Sequence, residues 1–279
     1  MLGSSFLRKF TASLHDDELA RLREDNARLE AELTALRQVT STPFIKDSGR
    51  PVTFNNDGMA CVHNCDFIQD AQFQKAYRAG IETGHGFGEN LHIEWRVFVA
   101  CWASHHASQM AGDFVECGVN TGILSRAIME YIDFNATPER RFYLLDTYEG
   151  IPMDQLTEEE RTLGLTDYNH MYFDCYELAC RNFAAFPNAR IVRGRVPDTL
   201  SAIESKAISY LSIDMNCVTP EIQAGEYLWP RLVNGGVVLL DDYGWWPHIA
   251  QKNAWDAFAA ARGLKILALP TGQGLLIKV

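Results

Sequence analysis

From Asp113 onward the chain alternates short apolar runs with longer stretches of helical periodicity. That pattern predicts an open, mostly parallel sheet with helices on both faces and admits few other folds. The strand-like runs are Asp113–Cys117, 141–146, Ala189–Arg193, 208–214, 236–241, 265–269 and 274–279, with helices expected at 121–134, 169–186, 199–206, 220–232 and 249–262. Sheets of this kind bind ligands beyond the carboxyl ends of their strands. Four of those ends carry acids: Glu116, Asp146, Asp214 and the pair Asp241-Asp242. A carboxylate following a buried strand is costly without a partner. One could cap a helix; four facing one crevice call for a ligand.

The first loop reads Glu116-Cys-Gly118-Val-Asn120-Thr-Gly122. A dinucleotide loop has three glycines, in G-x-G-x-x-G, to bring backbone against a pyrophosphate. Here there are two, and an acid opens the loop. A negative charge repels a pyrophosphate but suits S-adenosyl-L-methionine, whose sulfonium and amino groups are cationic. Asp146, followed by Thr147, is placed to accept hydrogen bonds from a ribose diol, a role common to NAD and adenosyl cofactors. The strands that end in Asp214 and in Asp241-Asp242 are expected to be neighbours. Their carboxylates would repel unless neutralised, and Mg2+, which takes a few carboxylates and several waters, is an economical solution. In the alternative, one acid is a ligand and the others cap helices.

The amino-terminal part differs. Leu19, Leu22, Asn26, Leu29, Leu33 and Leu36 are spaced 3, 4, 3, 4 and 3 apart, a heptad seam with an asparagine at one a position. In a parallel pair Glu18 would meet Arg23 and Glu32 would meet Arg37, against one repulsive match of Asp25 with Glu30. Residues 12–37 are therefore expected to form a coiled-coil helix that pairs two copies, although a helix packed on its own domain fits the same pattern. Residues 40–51, with two prolines and a glycine, read as a linker, and 52–110 as mainly helical and irregular. The organisation expected is a coiled-coil helix at 1–40, a linker and helical extension at 41–110, and a catalytic domain at 111–279.

With 25 basic and 36 acidic residues the net charge is −11. An acidic chain without a basic run is a poor ligand for nucleic acid, whose binding rests on Lys and Arg neutralising phosphates. No apolar run approaches the ~20 residues of a membrane span, and Met1–Phe10 lacks the apolar core of a signal peptide. The seven cysteines are an odd number without dense spacing, which fits a reducing cytoplasm. Cys61-x3-Cys65 with His63 between is one residue too long for C-x2-C and has no second pair, which argues against zinc.

The segments FVECGVNTG, LLDTYEGIP, SIDMN and GGVVLLDDYG, in that order, resemble the macrocin O-methyltransferase (TylF-like) family of class I S-adenosylmethionine-dependent enzymes. The resemblance covers roughly residues 91–279. It implies a Rossmann-like α/β fold with a seven-stranded, mostly parallel sheet whose last strand is reversed. It also implies Mg2+-assisted methylation of a hydroxyl, in a natural-product sugar or glycan. Carried over by position, Glu116 and Gly118 would face the methionine part of the cofactor and Asp146 the ribose, with Asn120, Gly122 and Thr147 also binding the cofactor, and Asp214, Asp241 and Asp242 would hold the metal. One departure concerns the acceptor: Met215-Asn216-Cys217 follows Asp214 where family members often have another acid and an aromatic.

The expected chemistry is in-line displacement of the sulfonium methyl by an acceptor oxygen, helped by a metal that lowers the hydroxyl's pKa and by near-attack positioning. Candidates for the base are Asp214, then His248, then His170 in an expected lid over 156–171. Trp245 and Trp246 offer indole faces to a sugar ring, or pack the next helix. Two rivals stand beside this reading. One is an NAD-dependent sugar oxidoreductase or epimerase, against which Glu116 and the absence of a Tyr-x3-Lys pair argue. The other is a non-catalytic assembly protein in which the coil does the work.

Overall fold

The computed structural model describes residues 28–29, 51–87 and 91–279. They fall into two compact units. One takes in residues up to 55 together with 60–64; the other takes in 56–59 and 65–279. Of the heptad stretch only Arg28 and Leu29 are described, both helical, so the expected coiled coil lies outside the described residues. Among the described residues no helix is long and apolar enough to cross a membrane.

The chain first makes a short hairpin, β1 (Phe54–Asn56) and β2 (Met59–Cys61), around an Asp57-Gly58 turn. Both turn residues have positive φ, 53° and 70°, the geometry that favours Asp-Gly in two-residue hairpins. The hairpin lies in the irregular part of the stretch 52–110. In the first unit the Thr53 hydroxyl donates to the carbonyl of His63 at 2.6 Å. Two helices follow in the second unit, α1 (Ala71–Ile81) and α2 (Glu94–Ser108). Asp70 caps α1 by accepting from the Phe73 amide at 2.8 Å, the usual task of Asp at that position.

The sheet is built from β3 (Asp113–Cys117), β4 (Phe142–Asp146), β5 (Ala189–Arg193), β6 (Ile208–Ile213), β7 (Leu232–Leu240), β8 (Leu267–Ala268) and β9 (Gly274–Ile277). Their spatial order is β5-β4-β3-β6-β7-β9-β8. β9 runs antiparallel to both β7 and β8, while the other neighbours are parallel. This is the seven-stranded α/β sheet with a reversed last strand that the sequence led us to expect.

Each central strand feeds two cores alternately, because successive side chains point to opposite faces. Phe114, Phe142, Leu144, Tyr210, Val237 and Leu239 pack under α1, α2, α3 (Ile123–Tyr131) and α5 (Tyr176–Phe183). Val115, Cys117, Leu145, Leu211, Ile213, Val238 and Leu240 pack under α6 (Val218–Leu228) and α7 (Ile249–Ala260). Both faces being covered, the strands read as continuous apolar runs, and each enclosed Leu, Val or Phe contributes roughly 1.5–3 kcal/mol.

Two boundaries differ from expectation. β7 begins at Leu232, four residues early, running through Gly235-Gly236 where its pairing with β6 shifts register. The helix expected over 169–186 is broken. A short α4 (Glu158–Thr162) leads into a 3-10 turn, Leu165–Met171, and the regular helix starts only at Tyr176. The reason is lateral bonding. The Asn169 side chain accepts from the Ile151 amide at 2.8 Å and donates to its carbonyl at 3.0 Å. The Cys175 amide donates to the Tyr148 carbonyl at 2.8 Å. These backbone groups are taken up by the neighbouring loop instead of by a helix.

Candidate active site

The carboxyl ends of β3, β4, β6 and β7 open into one cavity of about 430 Å³, within the range of small-molecule sites. It is lined by Glu116, Gly118, Asn120, Asp146, Thr147, Asp214, Asp241, Asp242, Trp245 and His248, among others. Sequence reasoning brought these residues together correctly. Gly122, Trp246 and His170 are not among the lining residues.

The glycine loop is fixed by sterics. Gly118 has φ 91°, and a Cβ there would stand 1.8 Å from the Asp214 carbonyl oxygen. The loop after β3 and the end of β6 therefore touch backbone to backbone. Gly122 has φ 98° and faces the Phe183 ring, which a Cβ would meet at 2.4 Å. It serves packing at the start of α3 rather than the cavity, which corrects its expected place beside the cofactor.

Asp146 organises the same loop. Its Oδ2 accepts from the amides of Val119 and Asn120 at 2.6 and 2.7 Å. Its Oδ1 accepts from the Tyr148 amide at 2.7 Å and the Thr147 hydroxyl at 3.2 Å. A carboxylate offers about four acceptor positions; the three amides fill three of those expected to meet a ribose, and the one Thr147 proton is drawn to a shorter bond. Thr147 also turns inward, donating to the Gly150 carbonyl at 2.6 Å. Asn120, at φ 51°, shows its side chain to the Cys175 thiol at 3.4 Å.

Glu116 is 2% exposed, and its Oε2 has no hydrogen-bond partner. Burial, with Asp241 and Asp146 nearby, pushes its pKa up to about 8. An unpartnered carboxyl oxygen in a ligand-sized cavity is a group prepared for a cationic or donor ligand.

Across the cavity, Asp214, Asp241 and Asp242 each bring one carboxylate oxygen within 4.8 Å of the others. Burial first, and then the Asp241 and Asp242 charges, hold Asp214 well above the usual carboxylate range. Asp242 is also raised by burial, against the pull of His248. Three oxygens at this spacing, two of them on acids that burial disfavours as anions, fit a hard divalent cation. Asp214 keeps one side-chain donor, Asn216 Nδ2 at 3.3 Å. Asp241 is the most engaged of the three. Gln273 donates to its Oδ1 at 2.9 Å, and Arg96 donates to its Oδ2 at 2.7 Å.

Arg96 and Gln273 are functional candidates that sequence reasoning missed. Arg96 reaches Asp241 across 145 positions of sequence from a stretch read only as mainly helical and irregular. The turn signal Asp57-Gly58 could have drawn attention to Asp57, which holds the other side of the Arg96 guanidinium.

His248 starts α7 at the cavity wall with its Nε2 3.9 Å from Asp242 Oδ2. Its Nδ1 is bonded to Gln251 Oε1. Gln251 in turn donates from Nε2 to Glu221 Oε1 at 2.7 Å, and Trp255 donates to Glu221 Oε2 at 2.9 Å. Because the Gln251 nitrogen faces Glu221, its oxygen faces the histidine. A neutral His248 then carries its proton on Nδ1, with the Nε2 lone pair toward the cavity. Trp245 lines the cavity beside it, whereas Trp246 is 76% exposed. His170 lies on the outer side of the 3-10 turn, bonded to the Asp167 carbonyl, while its neighbours Tyr168, Met171 and Tyr172 line the cavity.

Comparison with known proteins bears on this geometry. A curated relative is the 8-demethyl-8-(2,3-dimethoxy-α-L-rhamnosyl)-tetracenomycin-C 4'-O-methyltransferase of Streptomyces olivaceus, 27% identical over 143 residues, covering 49% of this chain and 55% of that protein. Another is the mycinamicin III 3''-O-methyltransferase of Micromonospora griseorubida, 24% identical over 156 residues, covering 51% and 59% respectively. The chain thus spans little more than half the length of these relatives. Among solved structures, the O-methyltransferase NovP has the same fold, with a TM-score of 0.59 at 21% identity over 66% of this chain and 79% of that one. The calicheamicin methyltransferase CalS11 has a TM-score of 0.51 at 16% identity over 77% and 94%. The macrocin O-methyltransferase (TylF) family itself matches residues 94–267. That stretch is more than half of the chain and carries nearly the whole sheet and the acid cluster, and on this ground the chain belongs to the macrocin O-methyltransferase (TylF) family.

Proposed function

We propose that this protein is an S-adenosyl-L-methionine-dependent O-methyltransferase, assisted by Mg2+, whose acceptor is a hydroxyl on a sugar of a natural product or glycan. The observation that carries the reading is the single cavity joining an unpartnered buried carboxyl, Glu116, to three converging acids and a histidine lone pair. One of the two curated relatives described above is named for methylating a rhamnosyl-tetracenomycin, and this favours a sugar acceptor here.

In this reading Glu116 and Asn120 receive the cationic methionine end, and Asp146 acts by holding the loop amides in place. The methyl donor supplies an electrophilic carbon when bound. A divalent cation at Asp214, Asp241 and Asp242 would polarise the acceptor hydroxyl. Those acids are then committed as ligands, so His248 rather than Asp214 takes the acceptor proton, at Nε2. Glu221 and Gln251 keep its tautomer correct. Trp245 gives the acceptor a flat apolar surface. Positioning of oxygen against methyl supplies much of the acceleration. The family supplies no ground for an NAD-dependent activity. The heptad at 12–37 belongs with this proposal as the element that pairs two copies.

The test is methyl transfer from labelled S-adenosylmethionine to a panel of deoxysugar glycosides, with Mg2+ and with a chelator. Labelled product that disappears with the chelator supports the reading. Failure of S-adenosylhomocysteine to bind the purified protein in calorimetry would sink it.

A further inference from the structure

Arg96 is enclosed, its side chain 14% exposed, beside acids that are 10% and 6% exposed. Its Nε and Nη2 clasp Asp57 at 3.2 and 2.9 Å in a two-point fork. Its Nη1 donates to Asp241 at 2.7 Å, and its guanidinium carbon lies 5.1 Å from the Trp245 ring centre. Burial works against the cation, but Asp241 and Asp57 more than offset it, so the charge is permanent. The Asp57-Gly58 turn aims Asp57 inward, and Gly58 abuts the same indole.

A permanent cation thus sits on one of three acids that fit a divalent metal. A single carboxylate in a two-point fork would engage only two of the five N–H donors of Arg96. Two acids hold it instead, from opposite sides, and only one of them belongs to the cluster. We propose that Arg96 is a tethered counter-cation that sets how tightly the acid cluster takes a divalent metal, and that Asp57 is the positioning residue that holds Arg96 back from the cluster. This rests on the metal-assisted reading above. Like charges compete for the same oxygens. Removing Arg96 frees Asp241 for the metal, whereas removing the Asp57 charge leaves Arg96 with the cluster as its sole carboxylate partner.

The two changes therefore move metal affinity in opposite directions, which structural damage does not do. The experiment is calorimetric titration of the full-length protein with MnCl2 and MgCl2 alone, alongside thermal melts with and without metal. Arg96→Met is expected to bind metal roughly tenfold more tightly, with a lowered melting temperature that metal restores. Asp57→Asn is expected to bind metal several-fold more weakly. Should Arg96→Met fail to fold, the double variant Asp57→Asn/Arg96→Met, which removes the Asp57 charge together with its partner, carries the same expectation of tighter binding. If the wild type binds metal but both changes weaken binding, or Arg96→Met leaves it unaltered, this proposal is overturned and the metal reading stands. A wild type that takes up no metal overturns both.

Discussion

Glu116 is enclosed by the β3 terminus with one oxygen unpartnered, so its proton is retained up to about pH 8. A sulfonium and an ammonium beside it would favour the ionised form. Binding of S-adenosylmethionine near pH 7 is therefore expected to release a proton. Calorimetry in buffers of differing ionisation enthalpy reads this directly. Glu116→Gln should abolish the release and weaken binding by tenfold or more. Gly118 makes a second, purely steric prediction. With a Cβ 1.8 Å from a carbonyl oxygen, Gly118→Ala cannot be accommodated without moving β6. It should cost about 3 kcal/mol or more, seen as a large fall in the urea midpoint. Both residues were legible as loop members from the E-x-G-x-x-x-G pattern. The engagement of Asp146 by three loop amides was not, because hydrogen-bond partners across a loop leave no mark in spacing.

At the scale of elements, the segment between β4 and α5 was foreseen as a lid and is packed as a small core of its own. Ile151, Leu156 and Leu165 gather on Cys217. Glu160, in the capping box of α4, also accepts the Val218 amide at the start of α6 at 2.6 Å. Asn169 clips the segment to Ile151 at both backbone atoms. Asn169→Ala should remove two partly buried hydrogen bonds, worth roughly 1–3 kcal/mol locally. Amide exchange is expected to quicken across 151–173 while the sheet's protection stays unchanged. The strands were readable because each feeds two apolar cores and so carries unbroken hydrophobic runs. The break before α5 was not, since residues 169–186 have adequate helical periodicity and only the Asn169 and Cys175 bonds to a distant loop override it.

For the whole molecule, the acids at the strand ends govern the response to pH. Burial raises both Glu116 and Glu221 to about 8 from a usual 4.5. A carboxyl whose folded pKa is raised binds more protons folded than unfolded. Its contribution is full below about 4.5 and is lost as pH climbs through about 8. The ligand-free protein should thus lose stability between pH 5 and 9, on the order of a few kcal/mol. Glu221→Gln should flatten part of that slope in denaturant titrations. Divalent metal should raise the melting temperature most at the alkaline end, where the acids are charged. The family and the cavity's floor were legible in order along the chain. Arg96 and Asp57 were not, because their partnership with Asp241 exists only once the hairpin turn and α2 meet β7.

The contact of Gly118 with the Asp214 carbonyl has a consequence for how such an enzyme changes its acceptor. The loop after β3 and the end of β6 are locked main chain to main chain, so the floor of the site is a ruler of fixed length. A new acceptor cannot be admitted by stretching it. Variation has to come from the walls, at side chains such as Phe87, Leu91 and Tyr168 that line the cavity without touching that ruler. Directed libraries confined to those positions should exchange one acceptor for another while leaving the donor's affinity where it was.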